Sequence, residues 1–175
     1  MLKIVAMLVV MPFVAVLLFA ATISNWFTVK RTISIKAPPE KIFALISDFH
    51  TWASWSPYEK SDPDMKKTYS GAINGKGAGY EWEGNRKAGK GRIEITETSP
   101  LSKITMELNM IKPFKAQNIV EFTLEAQGDS TKVTWGMDGK MGYVAKIMGI
   151  FVNINHRLGK EFDLGLANLK AIAER

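Results

Sequence analysis

Val29, Ile33 and Ile35 share one parity of the segment 28–36, with Arg31 the single polar break, and this alternation predicts a first strand. Ala37-Pro38-Pro39-Glu40 ends it. Pro39 suits the first turn of a helix and Glu40 its positive end, and Ile42, Phe43, Leu45 and Ile46 then supply a helical apolar face closed by Asp48. The segment 50–57 predicts a second short helix carrying Trp52 and Trp55 three residues apart. Further strands follow. Residues 65–70 form a faint candidate, while Tyr80 and Trp82 alternate with Glu81 and Glu83, and Ile93 and Ile95 with Glu94 and Thr96. Ile104, Met106, Leu108 and Met110 alternate next, then Val120, Phe122 and Leu124, then Val133, Trp135 and Met137. Short turns such as Ser99-Pro100, Lys112-Pro113 and Gly128-Asp129-Ser130 imply an antiparallel meander, because parallel pairs need long crossovers.

The period then changes. Ile147, Phe151, Ile154, Leu158, Phe162, Leu166, Leu169 and Ile172 recur at steps of three and four, which predicts one long C-terminal helix of about seven turns. Gly149, Gly159 and Gly165 interrupt it and stand for close packing or for a break near its start. A helix with one apolar stripe must bury it, and the sheet is the large partner available. The pattern is therefore α+β: a curved antiparallel sheet around a long C-terminal helix, with space enclosed between them.

The first residues follow neither period. Ile4 to Ile23 carry no charge, and as a helix these 20 residues span roughly 30 Å, the thickness of a bilayer core. A cleaved secretory signal is the rival, but Phe19 and Leu18 occupy the positions where a cleavage site needs small residues. Trp26 and Phe27 follow like an interfacial aromatic pair. The sequence thus predicts a single-pass transmembrane anchor at 4–24, a juxtamembrane link at 25–28 and one domain at 29–175. Lys30, Arg31, Lys36 and Lys41 lean the domain toward the cytoplasmic side of the membrane.

Composition narrows the chemistry. The 175 residues contain no cysteine, which excludes disulfides, thiolate nucleophiles and Cys-ligated metals. Two histidines, His50 and His156, leave little for a metal site, and no metal or cofactor is expected. The net charge of +6 comes partly from residues flanking the apolar segment and partly from the turn bearing Arg86, Lys87, Lys90 and Arg92. That turn lacks interleaved aromatics, so no nucleic-acid partner is expected; an anionic membrane surface or a solvated hairpin tip fits it. Gly84 to Lys90 has the spacing of a phosphate-binding loop, but Gly91 stands where Ser or Thr should hold magnesium and a strand follows instead of a helix. Gly75, Gly77 and Gly79 fail as a dinucleotide fingerprint because Tyr80 replaces the third glycine. Glu81, Glu83, Glu94 and Asp138 have mostly outer-face parity, and neither histidine completes a catalytic constellation.

The residues 33–48, Ile-Ser-Ile-Lys-Ala-Pro-Pro-Glu-Lys-Ile-Phe-Ala-Leu-Ile-Ser-Asp, followed by Trp52-Ala53-Ser54-Trp55-Ser56-Pro57, resemble the opening of the START-like (SRPBCC) superfamily. Asp62-Pro63, the strand 77–82, Val133-Thr134-Trp135 with Met137, and the run from Gly159 to Lys170 are similar to its polyketide cyclase/dehydrase and lipid-transport group. The resemblance implies a helix-grip fold with a deep hydrophobic cavity, but no shared catalytic residue.

Function then reads as membrane-tethered binding of a hydrophobic small molecule or lipid. The expected cavity lining is Trp55, Tyr80, Trp82, Ile95, Met106, Leu108, Phe122, Trp135, Met148 and Phe151, since aromatics and methionines accept variable apolar ligands. The alternatives are a cyclase or dehydratase acting in the same cavity, with Tyr80 or a strand carboxylate as acid or base, and a protein-interaction module with a filled core.

Overall fold

A computed structural model describes residues 11, 14–143, 146, 147, 149 and 153–175. Its centre is one seven-stranded antiparallel sheet of order β1-β7-β6-β5-β4-β3-β2. The strands are β1 (Trp26–Ile35), β2 (Lys66–Gly71), β3 (Ala78–Glu83), β4 (Lys90–Ser99), β5 (Lys103–Lys112), β6 (Ala116–Gln127) and β7 (Ser130–Lys140). Helices α1 (Pro39–Ser47) and α2 (Trp52–Trp55) follow β1, and α3 (Ile154–Ala173) ends the chain. This α+β arrangement fits a helix-grip fold.

Local chemistry explains the helices. Pro39 starts α1 behind an extended Pro38, and Ile42 and Ile46 bury its inner face. The two tryptophans three residues apart finish it. Trp52 Nε1 donates to the Ile46 carbonyl and Trp55 Nε1 to the Leu45 carbonyl, each at 3.0 Å, satisfying acceptors that a helix end leaves open. Helix α3 starts where Asn153 takes an extended backbone and its side chain accepts the His156 N–H. The continuous seven-turn helix from Ile147 is therefore corrected: Ile147 and Gly149 are helical, but the capped break at Asn153 separates them from α3.

Two glycines seat α3 on the sheet. A Cβ on Gly159 would lie 1.8 Å from the Arg31 guanidinium, which crosses this gap to hydrogen-bond Asp163 at 3.2 Å and the Asn155 carbonyl at 3.4 Å. Arg31, the polar break in β1, therefore faces the helix. A Cβ on Gly165 would lie 2.6 Å from the Trp135 ring and 3.1 Å from Pro57. The partners differ in compliance, and so should the substitutions. Gly165→Ala is expected to destabilise by about 1–3 kcal/mol, because a buried indole cannot move aside. Gly159→Ala should be near neutral, since the end of an arginine can shift while helix propensity improves by about 1 kcal/mol. Urea denaturation of the two variants checks this ordering, and equal losses would contradict it.

The expected single-pass localisation needs correcting. Among the described residues no helix is long and apolar enough to cross a membrane. Within that span the described continuous helical run is 14–22, about 13 Å long against the roughly 30 Å of a bilayer core. Ala20 is fully buried and the Leu17 carbonyl accepts a hydrogen bond from Tyr143 Oη at 2.6 Å, so this run lies against the domain. The single-pass localisation is overturned on this finding, while the transmembrane helix at 4–24 and the membrane partner expected through it find no support among the described residues; residues 4–10, 12 and 13 of the span lie outside them.

Candidate functional site

Strand register lays the inner face out in rows. One row runs Tyr69, Tyr80, Ile93, Leu108, Asn118, Gly139, Phe27 across all seven strands. The next, toward the sheet's centre, holds Ile95, Met106, Val120, Met137 and Val29. A third holds Ile104, Phe122, Trp135 and Arg31. On the far side of the first row, Trp82, Gly91, Met110 and Ala116 form a last one. Helix α3 begins beside Arg31 and runs toward the other end of β1, where Lys170 Nζ meets the Ser34 carbonyl and a Glu174 carboxylate oxygen accepts the Lys36 N–H. It covers the Trp135 end of the face, while the first and last rows lie beyond its N-terminus.

The expected lining residues divide along this boundary. Trp55, Phe122 and Trp135 are fully packed. Trp135 stacks on Phe162 of α3 at 4.3 Å and on Phe122 at 4.9 Å, with Trp55 edge-on at 5.7 Å. Ile95 and Met106 are wholly buried in the central row. Trp82 and Leu108 are half-buried at the end beyond α3, with Met110 and Phe27. Met148 and Phe151 lie outside the described residues.

At that end aromatic rings lie against glycines. Trp82 lies across Gly91, where a Cβ would sit 2.5 Å from the indole, and Phe27 lies across Gly139 at 2.7 Å. Asn118 shares this corner and is 7% exposed, yet its Oδ1 has no hydrogen-bond partner. A buried amide oxygen without a donor costs about 1–3 kcal/mol. Sequence reasoning missed Asn118 and the two glycines. Their signal was a break in apolar parity, Asn118 ahead of Val120 and Gly139 after Met137.

Tyr80 leads to a second group. Its hydroxyl donates to Glu59 Oε1 at 2.5 Å, and Lys67 Nζ donates to Glu59 Oε2. Burial, then the hydrogen bond to Glu59, pushes the Tyr80 phenol far above its ordinary value. Tyr80 is also stacked between Tyr69 at 5.3 Å and Trp82 at 5.9 Å, and Tyr69 in turn carries His50, whose Nδ1 lies 2.9 Å from Asp48 Oδ1. Both carboxylate oxygens of Glu59 are thus committed to partners. Glu59→Gln should destabilise the fold by about 1–2 kcal/mol, because the amide keeps the tyrosine bond but leaves Lys67 without its counter-charge. Thermal unfolding measures this, and a gain in stability would contradict it.

The carboxylates assigned to the outer face are there. Glu81 and Glu94 flank Arg92, Glu83 faces Lys90 and Lys112, and Asp138 accepts from Thr28 Oγ1. An open cleft of about 280 Å³ on that face is lined by Arg92, Glu94, Thr96, Glu107 and Asn109. Hydrogen bonds from Asn109 and Gln117 hold the Glu107 carboxyl below its usual range. The phosphate-loop spacing is a turn joining β3 to β4, closed by the Gly84 N–H on the Gly89 carbonyl, and Asp62 accepts the Asn85 N–H at 2.6 Å.

A family model described as polyketide cyclase / dehydrase and lipid transport matches residues 27–174. The chain belongs to this family. No curated protein matches the sequence. Among solved structures, protein CV1439 from Chromobacterium violaceum is similar at TM-score 0.62 and 15% identity, over 85% of this chain and 97% of that one. The Aha1 dimer from Colwellia psychrerythraea gives 0.60 at 16% identity, over 85% and 96%. DynU16, from the dynemicin biosynthetic locus, gives 0.59 at 16% identity, over 87% of this chain and 48% of its own. Identities this low establish a shared fold and leave function to the site.

Proposed function

We propose that this member of the polyketide cyclase/dehydrase family binds a hydrophobic small molecule on the inner face of its sheet, at the end beyond the N-terminus of α3. The observation that carries this reading is the corner built by Trp82 over Gly91, Phe27 over Gly139, and Leu108 around an unpartnered Asn118 Oδ1. Apolar surface supplies affinity: covering about 300 Å² of ligand contributes on the order of 7 kcal/mol before the costs of association. The amide supplies orientation, since a ligand O–H or N–H would satisfy an acceptor that the protein leaves bare. The favoured ligand is therefore mostly apolar with one hydrogen-bond donor.

The Tyr80–Glu59–Lys67 group favours binding over acid–base catalysis. Its carboxylate accepts from two protein donors, and the Tyr80 proton is held by that carboxylate. A cyclase would need one of them free to exchange a proton with substrate. Displacement of the neutral fluorophore 1-aminoanthracene by apolar alcohols tests the reading. Saturable binding with displacement supports it, and absence of fluorophore binding by the folded protein refutes it.

A further inference from the structure

Beyond the row of Trp82, Gly91, Met110 and Ala116 the strands end, and the chain gathers cations there. The turn joining β3 to β4 meets the turn joining β5 to β6: a Cβ on Gly89 would lie 2.4 Å from the Lys112 carbonyl oxygen and 3.5 Å from Pro113. The start of β1 and the end of β7 complete this end, where Trp26 pairs with Lys140. Arg86, Lys87, Lys90, Lys112, Lys115 and Lys140 stand on these turns and strand ends. The carboxylates in contact with the turns are Glu83, shared between Lys90 and Lys112, and the buried Asp62, which accepts the Asn85 N–H. A large part of the chain's net charge of +6 is thus held at one end.

Large apolar side chains are exposed among these cations. Phe114, on the β5–β6 turn, is 63% exposed, Trp26 59% and Ile111 45%. Each has a lysine beside it. Lys112 follows Ile111, Lys115 follows Phe114, and Lys140 Nζ lies 5.2 Å from the centroid of the Trp26 ring. Exposed apolar groups rimmed by charge mark a surface that meets a partner. Anionic headgroups over an acyl interior match the pairing, because a ring can enter the interface while the ammonium beside it stays at headgroup level. A protein partner matches it less well: protein interfaces are enriched in arginine and depleted in lysine, and all these cations but Arg86 are lysines.

We propose that this end of the sheet docks on an anionic lipid surface, with Phe114, Ile111 and Trp26 entering the interface and the six cations meeting the headgroups. The contact is that of hairpin turns resting on a surface, not of a span. It brings the corner around Asn118, a few residues further along the same strands, close to the layer where apolar molecules dissolve. The docking itself does not depend on the ligand reading above.

The test is sedimentation of the full chain with vesicles of phosphatidylcholine alone and of an equal mixture of phosphatidylcholine and phosphatidylserine. Binding to the anionic vesicles should be at least about a hundredfold tighter, since each cation near a charged leaflet contributes roughly fivefold. Raising NaCl from about 0.1 to about 0.5 M should remove most of that preference. The double variant Lys87→Glu/Lys115→Glu, with one change on each turn, should lose at least about tenfold on anionic vesicles. Phe114→Ser should lose roughly tenfold. All three positions are exposed, so both variants should fold and bind 1-aminoanthracene in solution as the native chain does. Lys41→Glu, an exposed reversal in α1 beyond the opposite end of β1, should keep the native vesicle affinity within about twofold.

Equal binding to the two kinds of vesicle would overturn the inference. So would native affinity in Phe114→Ser, or a loss in Lys41→Glu as large as in the double variant. Absence of vesicle binding would overturn it as well, and binding of poly-L-glutamate in its place would assign the rim to an acidic polypeptide. Failure of the native chain to bind 1-aminoanthracene would instead strike the ligand reading and leave the docking standing.

Discussion

Trp135→Ala is expected to destabilise the protein by about 3–5 kcal/mol, the largest loss from any single aromatic in the chain. The indole meets Phe162 nearly parallel at 4.3 Å, Phe122 at 4.9 Å, Trp55 at 5.7 Å and Tyr58 at 6.4 Å. Its Nε1 has no hydrogen-bond partner, so the loss is one of packing and of the cavity left behind. Gly165 lies against the same ring, and the helix could close on the cavity only by shifting its whole N-terminal half. A domain of this size has about 5–15 kcal/mol of total stability, so the variant should lie near the threshold of folding at physiological temperature. Guanidinium denaturation measures the change. A loss under about 1 kcal/mol would mean that Trp135 does not join α3 to the sheet.

Leu108→Asp is expected to weaken binding of 1-aminoanthracene by more than about a hundredfold while leaving the protein folded. Leu108 stands between Ile93 and Asn118 in the first inner row and is half-buried, so the new carboxylate keeps some water in the free protein. A bound apolar ligand would strip that water away, and burying an unpaired charge is strongly unfavourable. Glu107→Gln, one residue away on the outer face, should leave the fluorophore affinity as it is. A folded Leu108→Asp chain that binds like the native protein would move the ligand elsewhere.

The alternation in β3 to β7 was readable because each strand buries one face against a single core, and the buried parity is the one that the apolar residues mark. Gly159 and Gly165 were readable as close packing, but their partners were not: Arg31 and Trp135 lie more than a hundred and about thirty residues away in sequence. Arg31 looked like a flaw in β1 because its partner, Asp163, belongs to an element that only the fold brings near. The apolar N-terminal segment read as an anchor because length and hydropathy do not distinguish a span from a stretch such as 14–22 that packs on the domain.

The site was less legible than the fold. Aromatic and methionine positions mark the inner face as a whole, yet composition does not tell the half covered by α3 from the half beyond it. Trp135 and Trp82 have the same parity signal, and helix α3 alone separates a packed ring from one that leans over a glycine. Asn118 carries no pattern in sequence beyond a break in apolar parity. Its meaning lies in burial without a partner, which only the folded chain displays.

The most direct test of the binding site is amide NMR of the full chain titrated with 1-aminoanthracene. Resonances of Gly91, Leu108, Asn118 and Gly139 should shift together and saturably, while those of Leu124, Val133 and the outer-face cleft at Arg92, Glu94 and Asn109 stay in place. Shifts confined to the outer-face cleft, or no saturable shift at Asn118 and its neighbours, would contradict a ligand site on the half of the inner face beyond α3.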